Sequence, residues 1–421
     1  MKLKLYPSDL AGFIKAPSSK SYTHRALICA ALAPGKSVIK EPLLADDIFE
    51  TIACLKKIGA TFKIYPQEIS VFGAALKTHD KITLEIKDSA STLRFLIPLL
   101  SCLTKEIEIK TTKRMWERIN TSDLNGLRGL YFSYNKGILT ITGKLKEGLL
   151  NLSLKFTSQW LSGLIFALPL LPKLSLQTDL PFSDLSYPDI TLEVASKFGI
   201  SFLKKTNSIS YREGIYQATC YSIEGDYSAA ANWLAASCFS EKLKVGNLEP
   251  GSMQADYKFF DYTKKLGIEF QFENGAYSFL SRKAQSAVLD LFFSPDLFPV
   301  LAALAATSGV EVRFAGLGKL KYKESNRVRM MVAGLKKLGI DIKEYQDEVV
   351  VKGEERLTGD AEIETANDHR IIMAYAILAA KVEKPFILKS FRGVSKSYPD
   401  FFEKYISLGG KVDFIDERND G

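Results

Sequence analysis

The 421 residues hold only three histidines, His24, His79 and His369, too few and too scattered for a zinc or iron centre. The five cysteines form no CxxC pair, and Cys29, Cys54, Cys102 and Cys238 fall in apolar helical stretches. That is the pattern of core thiols in a reducing compartment rather than of a disulfide framework. A Walker loop, a GxGxxG turn and a nucleophile elbow are all missing, which removes the common nucleotide-binding and hydrolase designs. Every long apolar run is interrupted by Pro or polar residues before it reaches spanning length, and no signal pattern opens the chain. A soluble, cytosolic protein is expected. Lys and Arg number 56 against 48 Asp and Glu, a formal charge of +8, yet the basic residues form no blocks. Spread charge of this kind suits small phosphorylated metabolites better than nucleic acid.

What the chain does have is a period. A lysine-rich amphipathic stretch ending in a hydrophobic residue and Gly recurs six times, at Ile58-Gly59, Arg128-Gly129, Phe198-Gly199, Leu266-Gly267, Leu338-Gly339 and Leu408-Gly409. The spacings are 70, 70, 68, 72 and 70 residues. Each Gly is the expected left-handed residue just past a helix, where a Cβ would be strained. In step with these run stretches that are apolar on nearly every side, such as LICAALA (27–33), LSGLIFALPLL (161–171) and LFPVLAALAA (297–306), which read as buried helices. Polar residues near Ser21, Ser91, Ser158, Ser228, Asp296 and Asp368 open them as candidate N-caps.

One repeat therefore reads strand, buried helix, strand, amphipathic helix, then one or two strands, an α/β (α+β) pattern. Six repeats divide naturally into two domains of three, with no Pro/Ser-rich linker to mark the boundary. The expected division is 15–224 for repeats one to three, and 1–14 with 225–421 for repeats four to six. The first strand, LKLYP, then belongs with the C-terminal half.

Charges collect at the starts of the buried helices. Lys20, Ser21 and Arg25 lie in APSSKSYTHRAL, Arg94 in DSASTLRFL, Ser158 and Gln159 in TSQWL, Asp296 in SPDLF, and His369-Arg370 in NDHRI. Arg114 and Arg118 (KRMWER), Lys323, Glu324 and Arg327 (KYKESNR), and Lys396 lie in the spacers. Helix N-termini offer free N–H donors and a positive dipole end, so phosphate binds there readily. Taken singly, each residue has a plainer explanation. A lone Arg at a helix start is usually a solvated charge, Asp296 and Asp368 could be simple caps, and Glu324 could pair with Arg327 as an i, i+3 contact. Equivalent helix ends of a threefold repeat gather on one face of their domain, so these cations are expected to converge.

With these residues assembled, the chain resembles the enolpyruvyl transferase family, and within it the 5-enolpyruvylshikimate-3-phosphate synthases. The likeness rests on APSSKSYTHRAL, STLRFLIPLL, KRMWER, TSQWLSGLIFALPLL, SYPDITLEV, IEGDYSAAANWLAA, SPDLFPVLAALA, KYKESNRV, NDHRIIMAYAILA and SYPDFF, in the family's order. The resemblance implies two domains, each of three βαβαββ units around buried parallel helices, with the active site in the cleft between them. It also implies transfer of the enolpyruvyl group of phosphoenolpyruvate to the 5-hydroxyl of shikimate 3-phosphate, in aromatic amino acid biosynthesis. No cofactor or metal is implied, nor a nucleic acid or membrane partner, and the family suggests a monomer.

By motif position, the resemblance gives Lys20, Ser21, Arg25, Thr157, Ser158, Gln159, Tyr187, Asp296 and Lys323 to shikimate 3-phosphate. It gives Lys20, Ala90, Arg114, Gln159, Arg327, Arg370 and Lys396 to phosphoenolpyruvate, and acid/base work to Asp296 and Glu324 with Lys20. Two anionic substrates in one site require several Arg and Lys donors, and addition–elimination requires a base for the hydroxyl and an acid for the methylene carbon. Asp296 is assigned to the hydroxyl, and Glu324, alone or with Lys20, to the carbon.

Three departures from the family pattern stand out. Ala90 occupies the place of a Gly that lines the phosphoenolpyruvate pocket. The stretch FSDLSYPDIT leaves the phosphate contact open between Ser183 and Ser186. Lys319 stands where Asn is usual. The sister family acting on a UDP-linked amino sugar carries a reactive Cys on a loop near KRMWER, and this chain has none there. RNA phosphate cyclases share related βαβαββ units, but the few histidines and unclustered charge argue against that reading.

Overall fold

The computed structural model describes residues 2–74, 77–119, 124, 127–153 and 157–415. The chain divides into two compact units, Ser18–Glu224 and Met1–Pro17 with Gly225–Gly421. Each is built round its own continuous apolar core.

Each unit contains three four-stranded sheets of one design, a parallel pair followed by two antiparallel strands. In Ser18–Glu224 the second sheet shows the design without interruption. His79–Glu85 runs parallel to Thr104–Lys110, which pairs antiparallel with Ile138–Gly143, itself paired with Leu130–Asn135. The third sheet repeats it with Gly148–Leu152, Leu174–Thr178, Ser208–Glu213 and Ser201–Lys204. In the other unit, Ala287–Asp290, Glu311–Ala315, Val349–Lys352 and Asp341–Glu344 do the same.

Three sheets borrow a strand from far away in the chain. The sheet of Gly35–Lys40 takes its parallel partner from Cys220–Ser222, and that of Leu243–Gly246 takes its partner from Gly12–Lys15. The N-terminal strand Lys2–Leu5 lies between Phe386–Leu388 and Val412–Ile415, antiparallel to both. The first strand thus joins the C-terminal half, and the chain passes between the units at residues 17–18 and 224–225.

The helices are α1 (Lys20–Leu32), α2 (Asp46–Lys56), α3 (Ala90–Leu100), α4 (Lys113–Arg118), α5 (Gln159–Ala167), α6 (Ser186–Lys197), α7 (Tyr227–Ser237), α8 (Phe259–Lys265), α9 (Phe298–Ala306), α10 (Arg327–Lys337), α11 (His369–Leu378) and α12 (Phe401–Ser407). The all-apolar stretches form α1, α3 and α5 in one unit and α7, α9 and α11 in the other. All nine residues of α9 and all ten of α11 are buried. Helices lacking a polar face gain by burial on every side, roughly 1.5–3 kcal/mol per large apolar side chain. The amphipathic helices α2, α6, α8, α10 and α12 bury one face only. The stretch where the second repeat is expected to place its amphipathic helix lies largely outside the described residues.

All six periodic glycines have φ between 72° and 100°, the left-handed turn their helix or loop requires. A different demand acts at Gly163, where a Cβ would stand 2.3 Å from the Arg94 carbonyl oxygen of α3. That carbonyl faces Pro98, which has no N–H to offer it. The close packing of α3 on α5 depends on this missing side chain.

The helix starts differ from the sequence reading by about two residues. Ser19, Ser89 and Asp226 are the caps, bonding the N–H groups of Tyr22, Thr92 and Ala229, rather than Ser21, Ser91 and Ser228. Ser158 holds the cap position without a side-chain capping bond, and Asp368 caps α11 as expected. Asp296 is no cap. It sits in the 3-10 turn Pro295–Leu297 ahead of α9, because cations of neighbouring segments take its carboxylate.

Candidate active site

In the unit Ser18–Glu224 the N-terminal ends of α1, α3 and α5 bring their polar residues together. Lys20 is the first residue of α1, and its ammonium meets the Asp47 carboxylate of α2 at 2.9 Å. Arg25, one turn on, is 2% exposed. Its guanidinium donates to the Thr191 hydroxyl (2.7 Å), the Ser21 carbonyl (2.9 Å), and the Ser162 hydroxyl and Tyr187 carbonyl (both 3.1 Å), and it lies 4.8 Å from the Phe95 ring centre. Each of these partners is neutral. Burial, the largest influence, brings the Arg25 pKa down to about 10, so the group stays charged at neutral pH. A buried cation held only by dipoles is a strong attractor for an anion.

Gln159 is fixed at both ends of its amide. Its oxygen accepts from Arg94 Nη1 and its nitrogen donates to the Ser91 hydroxyl, each at 2.9 Å, while its backbone N–H bonds Thr157 Oγ1 at 3.2 Å. Tyr187 enters through its backbone carbonyl at the start of α6. The Ser183 side chain lies outside what is described, and Ser186 opens α6. Arg114 is exposed on α4, whereas Arg118 is half-buried. Arg118 donates to the Asp88 carbonyl at 3.4 Å, and its own carbonyl receives Arg94 Nη2 at 2.8 Å. Of the two arginines of KRMWER, the structure brings Arg118, not Arg114, to the entrance of α3. Ala90 is the first residue of that helix and is buried.

The second unit carries the carboxylates. Asp296 Oδ1 receives Arg327 Nη1 at 2.7 Å and Lys323 Nζ at 3.1 Å, and Arg370 Nη2 stands 3.9 Å from Oδ2. Arg327 is 1% exposed and also bonds Glu324 (2.6 Å) and Asp368 (2.9 Å), so three carboxylates share one guanidinium. Burial alone would push the Asp296 carboxyl up, but Lys323, Arg327 and Arg370 together outweigh it and hold the pKa well below the usual range. The i, i+3 contact of Glu324 with Arg327 is real, and it forms part of this larger cluster.

Two successive residues before α11, Ala366 and Asn367, have φ of 49° and 53°. Non-glycine residues in this region store strain that neighbouring contacts must hold. Glu364 bonds the Ala366 N–H at 2.8 Å, and Asn367 Oδ1 accepts the Gly393 N–H at 2.7 Å. Gly393 belongs to the 3-10 turn Arg392–Lys396, so this contact also ties Lys396 to the start of α11. Lys319 lies over the Phe292 ring at 3.7 Å.

Sequence reasoning missed Asp256, which looks like an ordinary acid in SMQADY. It is 1% exposed, its Oδ2 accepts from the Ser228 hydroxyl, and Oδ1 has no partner among the described residues. Burial, then the nearby Asp296, raises its pKa to about 6 against the pull of Arg370. Between about pH 4 and 6 the folded chain therefore keeps a proton that the unfolded chain has lost. This contribution to stability is full below the unfolded pKa and disappears as pH rises through about 6. Asp256→Asn is expected to remove that slope and to raise stability at pH 7 by about 3 kcal/mol. Urea titrations of both proteins from pH 4 to 8 would show it, and parallel curves would refute it.

Among the described residues, no His/Cys/Asp/Glu group has the arrangement to hold a metal ion, and no helix is long and apolar enough to cross a membrane.

Each unit repeats one strand–helix design three times, with cationic helix ends in Ser18–Glu224 and three carboxylates sharing Arg327 in the other unit. The fold agrees with two solved structures. One is an EPSP synthase from Acinetobacter baumannii, with TM-score 0.79, 22% identity, and 98% of this chain and 100% of that chain covered. The other is the enolpyruvyl transferase NikO from Streptomyces tendae, with TM-score 0.76, 15% identity, and 98% of each chain covered. The sequence profile of EPSP synthase (3-phosphoshikimate 1-carboxyvinyltransferase) matches residues 6–405. Similar curated proteins carry the name 3-phosphoshikimate 1-carboxyvinyltransferase. That of Clostridioides difficile is 32% identical and that of Clostridium kluyveri 34%, with 98% of both chains covered in each comparison. The chain belongs to the EPSP synthase family.

Proposed function

We propose that this chain transfers the enolpyruvyl group of phosphoenolpyruvate to the 5-hydroxyl of shikimate 3-phosphate, releasing inorganic phosphate. The observation that carries the reading is Asp296, kept ionised by three cations and sharing Arg327 with Glu324. An ionised carboxylate beside a second one supplies a base and an acid when their surroundings differ.

Addition begins as Asp296 takes the 5-hydroxyl proton and the oxygen attacks C2 of phosphoenolpyruvate. Glu324, with Lys20, delivers a proton to the methylene carbon, giving a tetrahedral intermediate. In elimination a proton leaves the new methyl group, the C2–phosphate bond breaks, and the enol ether forms as phosphate departs. Lys20, Ser21, Arg25, Thr157, Ser158, Gln159, Tyr187 and Lys323 serve shikimate 3-phosphate, the neutral-partnered Arg25 supplying uncancelled charge for its phosphate. Lys20, Ala90, Gln159, Arg327, Arg370 and Lys396 serve phosphoenolpyruvate. Arg118 takes the role first given to Arg114, because it reaches the α3 entrance. Fixed cations offset the charge that develops in the intermediate.

The chain works as a monomer in the cytosol, a reading suited by its five free thiols and tested by light scattering of the purified protein. Phosphate release on mixing both substrates tests the activity, and well-folded protein without turnover would overturn it. The Ala90 methyl narrows the phosphoenolpyruvate side, so the bulkier analogue glyphosate should inhibit weakly. Ala90→Gly is expected to lower the inhibitory glyphosate concentration about tenfold or more while the KM for phosphoenolpyruvate moves less than about threefold. Low-micromolar inhibition of the parent enzyme would contradict this.

A further inference from the structure

Helix α2 presents three polar residues on one face at i, i+3 and i+4, namely Asp47, Glu50 and Thr51. Asp47 holds Lys20. Glu50 accepts three consecutive backbone N–H groups of the segment leading into α3, those of Lys87 (3.1 Å), Asp88 (3.3 Å) and Ser89 (3.0 Å). Thr51 continues a chain of short hydroxyl contacts, 2.8 Å to His24 Nδ1 and 2.6 Å to Thr92, which meets Ser89 at 2.7 Å.

These bonds are not helix capping. Ser89 already caps α3 through the Thr92 N–H, and the donors of Lys87 and Asp88 precede the helix. What Glu50 fixes is the approach segment, whose Asp88 carbonyl takes Arg118 and whose next residue is Ala90. Burial, the largest influence, raises the Glu50 pKa, and the three N–H bonds oppose it.

We propose that Glu50 is a positioning residue for the phosphoenolpyruvate side of the site, acting through residues 87–90 without touching substrate. The inference rests on the transferase reading above. Displacement of a binding wall by about 1 Å can cost up to about 100-fold, and here one wall of one substrate moves.

The test is steady-state kinetics of Glu50→Ala and Glu50→Gln beside the parent enzyme, with amide hydrogen exchange over 87–89. Glu50→Ala should raise the KM for phosphoenolpyruvate about tenfold or more, with kcat and the KM for shikimate 3-phosphate within about threefold. Glu50→Gln, which keeps one acceptor oxygen, should fall between, and exchange at 87–89 should speed up in the same order. An unmoved KM for phosphoenolpyruvate, or equal shifts for both substrates, would overturn the positioning role while leaving the transferase reading intact. A parent enzyme without turnover would instead overturn that reading itself. Because the Gln variant is isosteric, it keeps the comparison available should the Ala variant fold poorly.

Discussion

Glu324→Gln should lower kcat by about 10³ while the urea midpoint stays close to that of the parent protein. The magnitude is that of losing a proton donor from the chemical step. Folding should be spared because the amide oxygen can still accept from Arg327, the 2.6 Å partner of the carboxylate, and the Glu324 side chain, 20% exposed, is not fully buried. Loss should appear equally in kcat and kcat/KM if the group acts only in the transition state. A variant that keeps more than about a tenth of the parent kcat would remove Glu324 from the acid/base role.

The largest effect on stability should come one helical turn away. Arg327→Met strips the shared partner from Asp296, Glu324 and Asp368, the last of which is fully buried. Breaking one side of a buried ion cluster costs about 3–5 kcal/mol, because the remaining charges cannot recover their hydration. Activity should vanish as well, since Asp296 loses one of the cations holding it ionised. Urea denaturation monitored by circular dichroism separates the two variants: Glu324→Gln fails in chemistry alone, Arg327→Met in both. A stability change under about 1 kcal/mol for Arg327→Met would mean that the cluster is solvated and not the frame described above.

The architecture was largely legible because its signals are local. A left-handed glycine after each amphipathic helix is a requirement of the backbone itself, so six of them at even spacing expose the repeat whatever surrounds them. Caps were less readable. Ser18, Ser19 and Ser21 stand within four residues, and only tertiary packing selects Ser19. Asp296 has the composition of a cap but spends its carboxylate on Lys323 and Arg327, from a segment about thirty residues on. Arg114 and Arg118 share one face of a six-residue helix, and sequence cannot tell which end reaches inward. Glu50 was invisible for a similar reason. An acid on an amphipathic helix normally faces water, and its three N–H partners lie 37 to 39 residues away.

The borrowed strands Lys2–Leu5 and Gly12–Lys15 set an order on biosynthesis. They are translated before residues 18–224, yet their sheet partners, Leu243–Gly246 and Phe386–Leu388 with Val412–Ile415, follow more than two hundred residues later. Residues 18–224 need nothing from that leading segment to complete their sheets, so they can mature while it waits unpaired. These two strands then reach their partners across a very long loop, whose closure entropy grows only logarithmically with length.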